Sequence, residues 1–146
     1  MLQTYTVSSN GVELNTGDSV VFNIDDIDSN CKIVHIAGTP SIELNQRGYY
    51  MVTFTSSGYN TGAVVEGTPY TGMYAFQLSN KGVQIVNSVA SASSTSDTDV
   101  VNVSFSVLLY VPPSCRVVDN NAVLTVDYLG QVGTLNSANL TVIKLR

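Results

Sequence analysis

Gly48-Tyr49-Tyr50-Met51-Val52-Thr53-Phe54 decides the fold. Its aromatic and β-branched residues favour an extended chain. Alternation then places Tyr50, Val52 and Phe54 on one face and Tyr49 and Met51 on the other. Large apolar groups therefore project both ways. The end of the sequence, Asn139-Leu140-Thr141-Val142-Ile143-Lys144-Leu145-Arg146, repeats the pattern, with Leu140 and Val142 opposed to Ile143 and Leu145. In residues 100–111, Val101, Val103, Phe105, Val107 and Leu109 share one face. The other face begins polar and turns apolar at Leu108 and Tyr110. A sheet that is apolar on both sides must be covered on both. No helical stretch is available to do it, so the second cover is expected to be another copy of the chain.

Working outward, turn residues cut the chain into roughly ten short strands, the spacing of a sandwich or barrel. Strands are expected over 3–7, 12–14, 20–24, 32–37, 41–44, 49–56, 73–78, 83–89, 100–111, 116–118 and 123–128, and at the end. Turns or loops are expected at 8–11, 25–30, 57–72, 91–99 and 130–137, with a hairpin turn at Ser79-Asn80-Lys81-Gly82. No internal repeat or boundary interrupts this, which predicts one all-β domain over 1–146.

Composition narrows the function classes. Charged residues make up 12% and apolar residues 44%, a balance that can build a core and excludes disorder. The net charge is −5 and no run of Lys or Arg occurs, so a nucleic-acid partner lacks its electrostatic footprint. No apolar run reaches the ~18 residues of a membrane span, so no membrane insertion is expected. The first residues show no basic and apolar leader, which predicts synthesis in a cytoplasm. Cys31 and Cys115 are either two small core thiols or one bridge.

The chemistry-bearing residues are sparse. Asp26-Ile27-Asp28-Ser29-Asn30 starts like a calcium loop, but Cys31 stands where glycine is needed and Ala37 where a bidentate Glu is needed. Solvated turn acids are the default there, with a looser site on Asp25, Asp26 and Asp28 as the alternative. His35, the only histidine, reads as a packed and satisfied residue. With Cys31 it offers only two donors, short of a zinc site, unless three copies of His35 meet on one axis. Neither a nucleophile elbow nor a phosphate-binding loop occurs, and Glu13, Glu43 and Glu66 stand alone. No enzyme, metal or cofactor is expected. The sequons at Asn102 and Asn139 fall within strands and read as coincidences of composition. Tyr59, Tyr70 and Tyr74 alternate with Gly, Asn and Thr. They form either a possible ligand-contact loop, suited to sugars or a protein, or a cover for the sandwich end.

Ser41-Ile42-Glu43-Leu44-Asn45-Gln46-Arg47-Gly48-Tyr49-Tyr50-Met51-Val52-Thr53-Phe54 resembles the Gly-x-Tyr-x-Val-x-Phe strand of the tumour necrosis factor and complement globular-head superfamily. Met73 to Val83 is similar to the hairpin that follows it there, and Asn139 to Leu145 to the family's last strand, which runs beside the central one. Together these cover the chain from about Val20 onward. The closest flavour is that of spore glycoprotein tips and small gut-phage virion proteins. In the latter a Cys and a His precede the Pro-x-Ile-x-Leu stretch, as Cys31 and His35 do here.

The resemblance implies a two-sheet antiparallel jelly-roll sandwich that forms a homotrimer and binds through its loops. Tyr49, Met51, Leu108, Tyr110, Ile143 and Leu145 would then form the trimer interface. The implied function is a non-enzymatic bacteriophage virion structural protein, a capsid decoration or a head- or tail-fibre tip. Its partners would be its own copies, a capsid or other virion protein, and a host-surface glycan. The alternative is a lectin-like recognition module of a bacterial or spore surface. No collagen-like or heptad stalk appears, so the tether is open.

Overall fold

The computed structural model describes residues 3–28, 32–61, 72–94, 99–113 and 122–146. Cys31, Tyr70, Cys115, Glu66 and the strand expected at 116–118 lie outside them. Ten strands are described: β1 (Gln3–Leu14), β2 (Ile24–Asp28), β3 (Ile33–His35), β4 (Ile42–Leu44), β5 (Gly48–Asn60), β6 (Gly72–Asn80), β7 (Val83–Ser94), β8 (Val101–Val111), β9 (Ala122–Tyr128) and β10 (Gly133–Lys144). No helix long and apolar enough to cross a membrane occurs among the described residues.

The strands form two five-stranded antiparallel sheets, in the orders β2-β1-β10-β5-β8 and β3-β4-β9-β6-β7. In the first sheet β5 lies between β10 and β8, with Val52 opposite both Val142 and Val107. The terminal strand thus runs beside the central one, as the family resemblance implied.

The sheets meet through one row of each strand. Tyr50, Val52 and Phe54 from β5, with Leu140 and Val142 from β10, face Tyr74, Phe76, Leu78, Leu124, Val126 and Tyr128 of the second sheet, all at most 1% exposed. Aromatic rings line the gap, and Phe54 and Phe76 meet across it. Phe54 lies 5.0 Å from Phe76 and 5.3 Å from Phe105, and Phe76 lies 5.1 Å from Tyr128. Fully burying each such side chain is worth roughly 1.5–3 kcal/mol.

Several expected turns are strand instead. Residues 8–11 continue β1, because Val7, Ser9 and Leu14 all face the core while Gly11 takes a φ of 64°. Residues 130–137 were expected as a loop, yet β10 starts at Gly133 with Leu135 and Ala138 buried. Its Asn136 is squeezed out of the ladder with β5, which shifts register between Leu135 and Ser137. The acidic stretch after Ile24 becomes β2, an edge strand on β1. Of the expected strand 20–24, Phe22 makes an isolated bridge to Thr39 and Ile24 begins β2, as the chain crosses between sheets. β7 runs on to Ser94, into the stretch expected as a solvated loop.

The hairpin after β6 is as expected, with Lys81 (φ 49°) and Gly82 (φ 79°) between Asn80 and Val83. Beyond it the ladder breaks: Ser79 faces Gln84 but Gln77 faces Val89, so Ile85 to Ser88 bulge out, with Asn87 at φ 64°. The Ser88 hydroxyl fills the gap. Its oxygen accepts from Leu78 N–H at 3.2 Å, and its hydrogen faces Ile85 O at 2.6 Å and Leu78 O at 3.2 Å.

Removing that hydroxyl leaves the buried Leu78 amide unpaired. Ser88→Ala should lower stability by about 2 kcal/mol in urea unfolding. A change within error would show that the bulge closes without it.

Candidate functional site

The outer face of the first sheet is divided lengthwise. At one end Tyr49 pairs with Tyr110 and Met51 lies between Leu108 and Ile143. Tyr49 is 46%, Tyr110 51%, Leu108 56% and Leu145 41% exposed, while Met51 and Ile143 are half-buried. The two tyrosine rings lie 4.8 Å apart. The six residues proposed from sequence as an interface therefore occur together on one apolar surface.

The rest of that face is mostly hydrophilic, with the exposed Glu13 opposite Thr134 at its far end. Thr53, Thr55 and Ser57 on β5 stand opposite Ser106, Ser104 and Asn102 on β8, and Thr141, Asn139 and Ser137 lie on the other side. Hydroxyls pair across the strands: Thr53 with Ser106 at 2.9 Å, Ser57 with Ser137 at 3.0 Å and Thr6 with Thr141 at 3.2 Å. Thr55, Ser57, Asn102, Ser104 and Ser137 line an open recess of about 350 Å³ here. The expectation of an apolar second face holds for one end only.

A second apolar surface was missed. Val83 is 71%, Val86 79% and Val89 52% exposed along the bulged edge strand β7. Valines three apart cannot share a face of a regular strand, so alternation gives no hint of them. Val83 and Val89 flank the bulge, opposite Asn80 and Gln77, and Val86 lies within it. Val83 lies at the end where Leu44 of β4 meets Ala122 of β9, and there the chain also crosses through 45–47 to Tyr49. Both apolar surfaces thus mark the same end of the sandwich.

The tyrosines expected in a ligand-contact loop separate. Tyr74 sits in β6 at 0% exposure and belongs to the core, which corrects its assignment to a contact loop. Tyr59 lies on the outer face of β5, partly exposed, and Tyr70 is outside the described residues. The Tyr74 hydroxyl is 2.7 Å from Ser56 Oγ. Ser56 gives its own hydrogen to Ser137 O at 3.0 Å, so Tyr74 is the donor of the pair. Gly58 makes the fit possible, because a Cβ there would stand 2.6 Å from the Tyr74 oxygen and 2.3 Å from Thr134 O.

The same end is closed by Asn60, fully buried although sequence placed it in a loop. Its amide nitrogen donates toward Met73 O (2.8 Å), Tyr128 Oη (3.0 Å) and Gln131 O (3.1 Å). Tyr128 in turn donates to Gln131 O. These bonds tie β5, β6 and the turn before β10 together.

His35 is packed and satisfied, the reading preferred from sequence. Its Nδ1 is 2.6 Å from Asp25 Oδ1 and its Nε2 is 2.9 Å from Thr39 O. Tyr5 and Phe22 meet its ring edge-on. The side chain is wholly buried, which removes the arrangement of three histidines on an axis. Among the described residues no three metal-ligating side chains cluster.

Burial pushes the Tyr74 pKa from the ordinary 10.0 up to about 12, and the Ser56 bond offsets a little of that. The unfolded chain releases this proton first, so stability falls as pH rises from 10 toward 12. Burial raises Tyr50 in the same direction. Tyr74→Phe should lose about 1 kcal/mol at neutral pH. It should also show a shallower alkaline loss than the parent in urea midpoints taken across that range. Parallel pH profiles would contradict this account.

No family model matches this sequence, and no curated protein does. Solved structures do match it in shape. "PRD1 vertex protein P5" has a TM-score of 0.61 at 15% identity, over 99% of this chain and 97% of that one. Murine APRIL at pH 5.0 gives 0.61 at 11% identity, over 98% and 100%. The same protein at pH 8.5 gives 0.58 at 10%, over 99% and 100%. With its two five-stranded antiparallel sheets, the chain shares the TNF-like jelly-roll fold of these structures.

Proposed function

We propose that this chain is a non-enzymatic virion structural protein of a bacteriophage, assembled as a homotrimer. It would serve as a capsid decoration or as the tip of a head or tail fibre. The observation that carries the assembly is the exposed apolar end of the first sheet's outer face. The virion role is supported by the likeness in fold to a phage vertex protein along nearly the whole of both chains.

A ring can use a second apolar surface that a face-to-face pair leaves in water. Tyr49, Met51, Leu108, Tyr110, Ile143 and Leu145 are already about half covered. Completing their burial is worth on the order of 4–9 kcal/mol per protomer. One association costs about 4–15 kcal/mol, which two such faces together match or exceed. The valines of the β7 edge supply the second surface. When the face of one protomer receives the edge of the next, every protomer uses both surfaces. Such head-to-tail contacts close into a ring of three when successive copies turn by a third of a circle.

Trimers present three copies of each loop, so weak contacts with a host surface gain avidity. Assembly in the host cytoplasm and release by lysis would need no secretion signal. A lectin-like module of a bacterial or spore surface is the second reading. It rests on the same exposed tyrosine and hydroxyl groups and would require a stalk or leader encoded upstream.

The Tyr49→Asp/Leu108→Asp double variant should run as a monomer, or aggregate, in light scattering, and a mass equal to the parent trimer rejects the interface. Val86→Asp should weaken the same assembly from the edge side. For location, negative-stain microscopy of purified virions with labelled antibody should decorate the particles. Particles without the protein reject the virion role.

A further inference from the structure

We propose that the hydroxyl half of the first sheet's outer face binds a small neutral saccharide, in the recess between β5, β8 and β10. The recess holds about 350 Å³ and is lined by Thr55, Ser57, Asn102, Ser104 and Ser137. Sites for small molecules span about 300–1,000 Å³, so its size suits a short saccharide rather than a folded partner.

One row of this face is left without partners. Ser8, Asn139, Thr55 and Ser104 stand side by side on β1, β10, β5 and β8. None of these side chains makes a hydrogen bond among the described residues, and neither does Asn102 in the next row. The flanking rows differ: Thr53 is bonded to Ser106 and Thr6 to Thr141 on one side, and Ser57 to Ser137 on the other. Those bonds fix the rim of the recess, and the ladders of β5 with both neighbours fix the backbone beneath it. The row of Thr53 and Ser106 also separates the recess from Met51, Leu108 and Ile143, so a second copy seated on the apolar end need not cover it.

The chemistry of the lining selects the occupant. It offers hydroxyls and a carboxamide and no charge, in a protein of net charge −5. Glu13, exposed at the far end of the same face, adds repulsion for anions, which disfavours a phosphate, a uronic acid or a nucleic acid. Each hydroxyl both donates and accepts, and the carboxamide does both as well, which is the pattern a polyol presents in return. A peptide strand finds nothing to add to, because the backbone of β5 is already paired on both edges. Tyr59 extends the site from the row beyond Ser57, about 7 Å along β5. It stands opposite Thr134, partly exposed, and its ring offers apolar area for the non-polar side of a sugar.

Hydrogen bonds to the sugar replace bonds to water, so each contributes little and a single site is weak. A trimer carries one such site on every protomer, and avidity strengthens its hold on a surface that repeats its sugars. The inference rests on the glycan contact in the proposed function, which it moves from the loops to a sheet face, and it does not need the trimer to hold.

The test uses the full chain, isotope-labelled, and follows its backbone amide signals by NMR as maltotriose, mannotriose, galactotriose and chitotriose are added in turn, with solution mass measured on the same samples. At least one of these neutral trisaccharides should move the amides of Thr55, Ser57, Asn102 and Ser104, and trigalacturonate should move none. Thr55→Val/Asn102→Ala should bind that sugar about tenfold more weakly without a lower thermal midpoint, while Ser91→Ala, on the other sheet, should bind like the parent. Shifts confined to other residues, no shift with any neutral trisaccharide, or equal binding by the double variant overturns the proposal. So does a double variant of altered mass, which would make the recess an interface between copies. Binding by a sample of monomer mass would reject the trimer and leave the site standing, whereas a trimer inert to all four sugars would overturn the site and leave the assembly standing.

Discussion

The contact of Phe54 with Phe76, 5.0 Å apart across the interior, fixes which side of β5 is inside. A strand's side chains alternate, so committing Phe54, Val52 and Tyr50 to the core commits Tyr49, Met51 and Thr53 to the outside. A register slip of one residue would exchange the two sets. It would place Thr53 and Thr55 against Phe76 and leave three large side chains in water. The ladder on either flank of β5 repeats the choice, because Val142 and Val107 both lie opposite Val52. The character of the outer face is therefore a consequence of the core.

That face joins two surfaces with different behaviour. Its hydroxyl half is hydrated and partly self-satisfied: Thr53 bonds Ser106, and Ser57 bonds Ser137. Covering it would gain little, since those groups exchange water for equivalent partners. Its aromatic half has no such alternative. An association that buries the whole face must therefore draw its stability from the tyrosine end and keep water at the other. The bulge in β7 sets a similar division along the edge. Its inserted residues interrupt a ladder that could otherwise recruit a strand from another molecule, while presenting valine side chains to a surface.

Legibility in the sequence followed the range of the signals. Alternation is local, and it located β5, β8, β9 and the hairpin at Lys81-Gly82, together with the six apolar residues of the face. What escaped depends on distant partners. Ser8 to Gly11 reads as a turn by composition, yet Ser9 is buried and the ladder with β10 carries the chain through. Tyr74 falls within the expected strand 73–78, yet it was grouped with the Gly- and Thr-rich stretch before it as a contact residue. Only Ser56, 18 positions earlier, shows where its hydroxyl goes. Asn60 has no signal of its own, since its amide is matched to Met73, Tyr128 and Gln131 by folding alone. The cations at 47, 144 and 146 form no run that a charge scan detects; their meeting is made by strand pairing.

The two ends of the sandwich consequently differ in chemistry, and the difference gives the molecule a direction. One end holds the Arg and Lys side chains, both apolar surfaces and the crossing between sheets at 45–47. The opposite end holds Asn60, Gly58 and the Ser56–Tyr74 bond, a network of neutral donors and acceptors that fastens the ends of β5 and β6. Charge attracts over about 10 Å at moderate salt, whereas neutral hydrogen bonds act only at contact. An approaching partner with negative charge is therefore sorted to the first end before any contact forms. The second end carries the exposed Glu13 beside that neutral network, so it does not attract such a partner. A protein that has to be fastened on one side and present loops on the other needs that asymmetry, and here it arises from which residues a single aromatic core leaves outside.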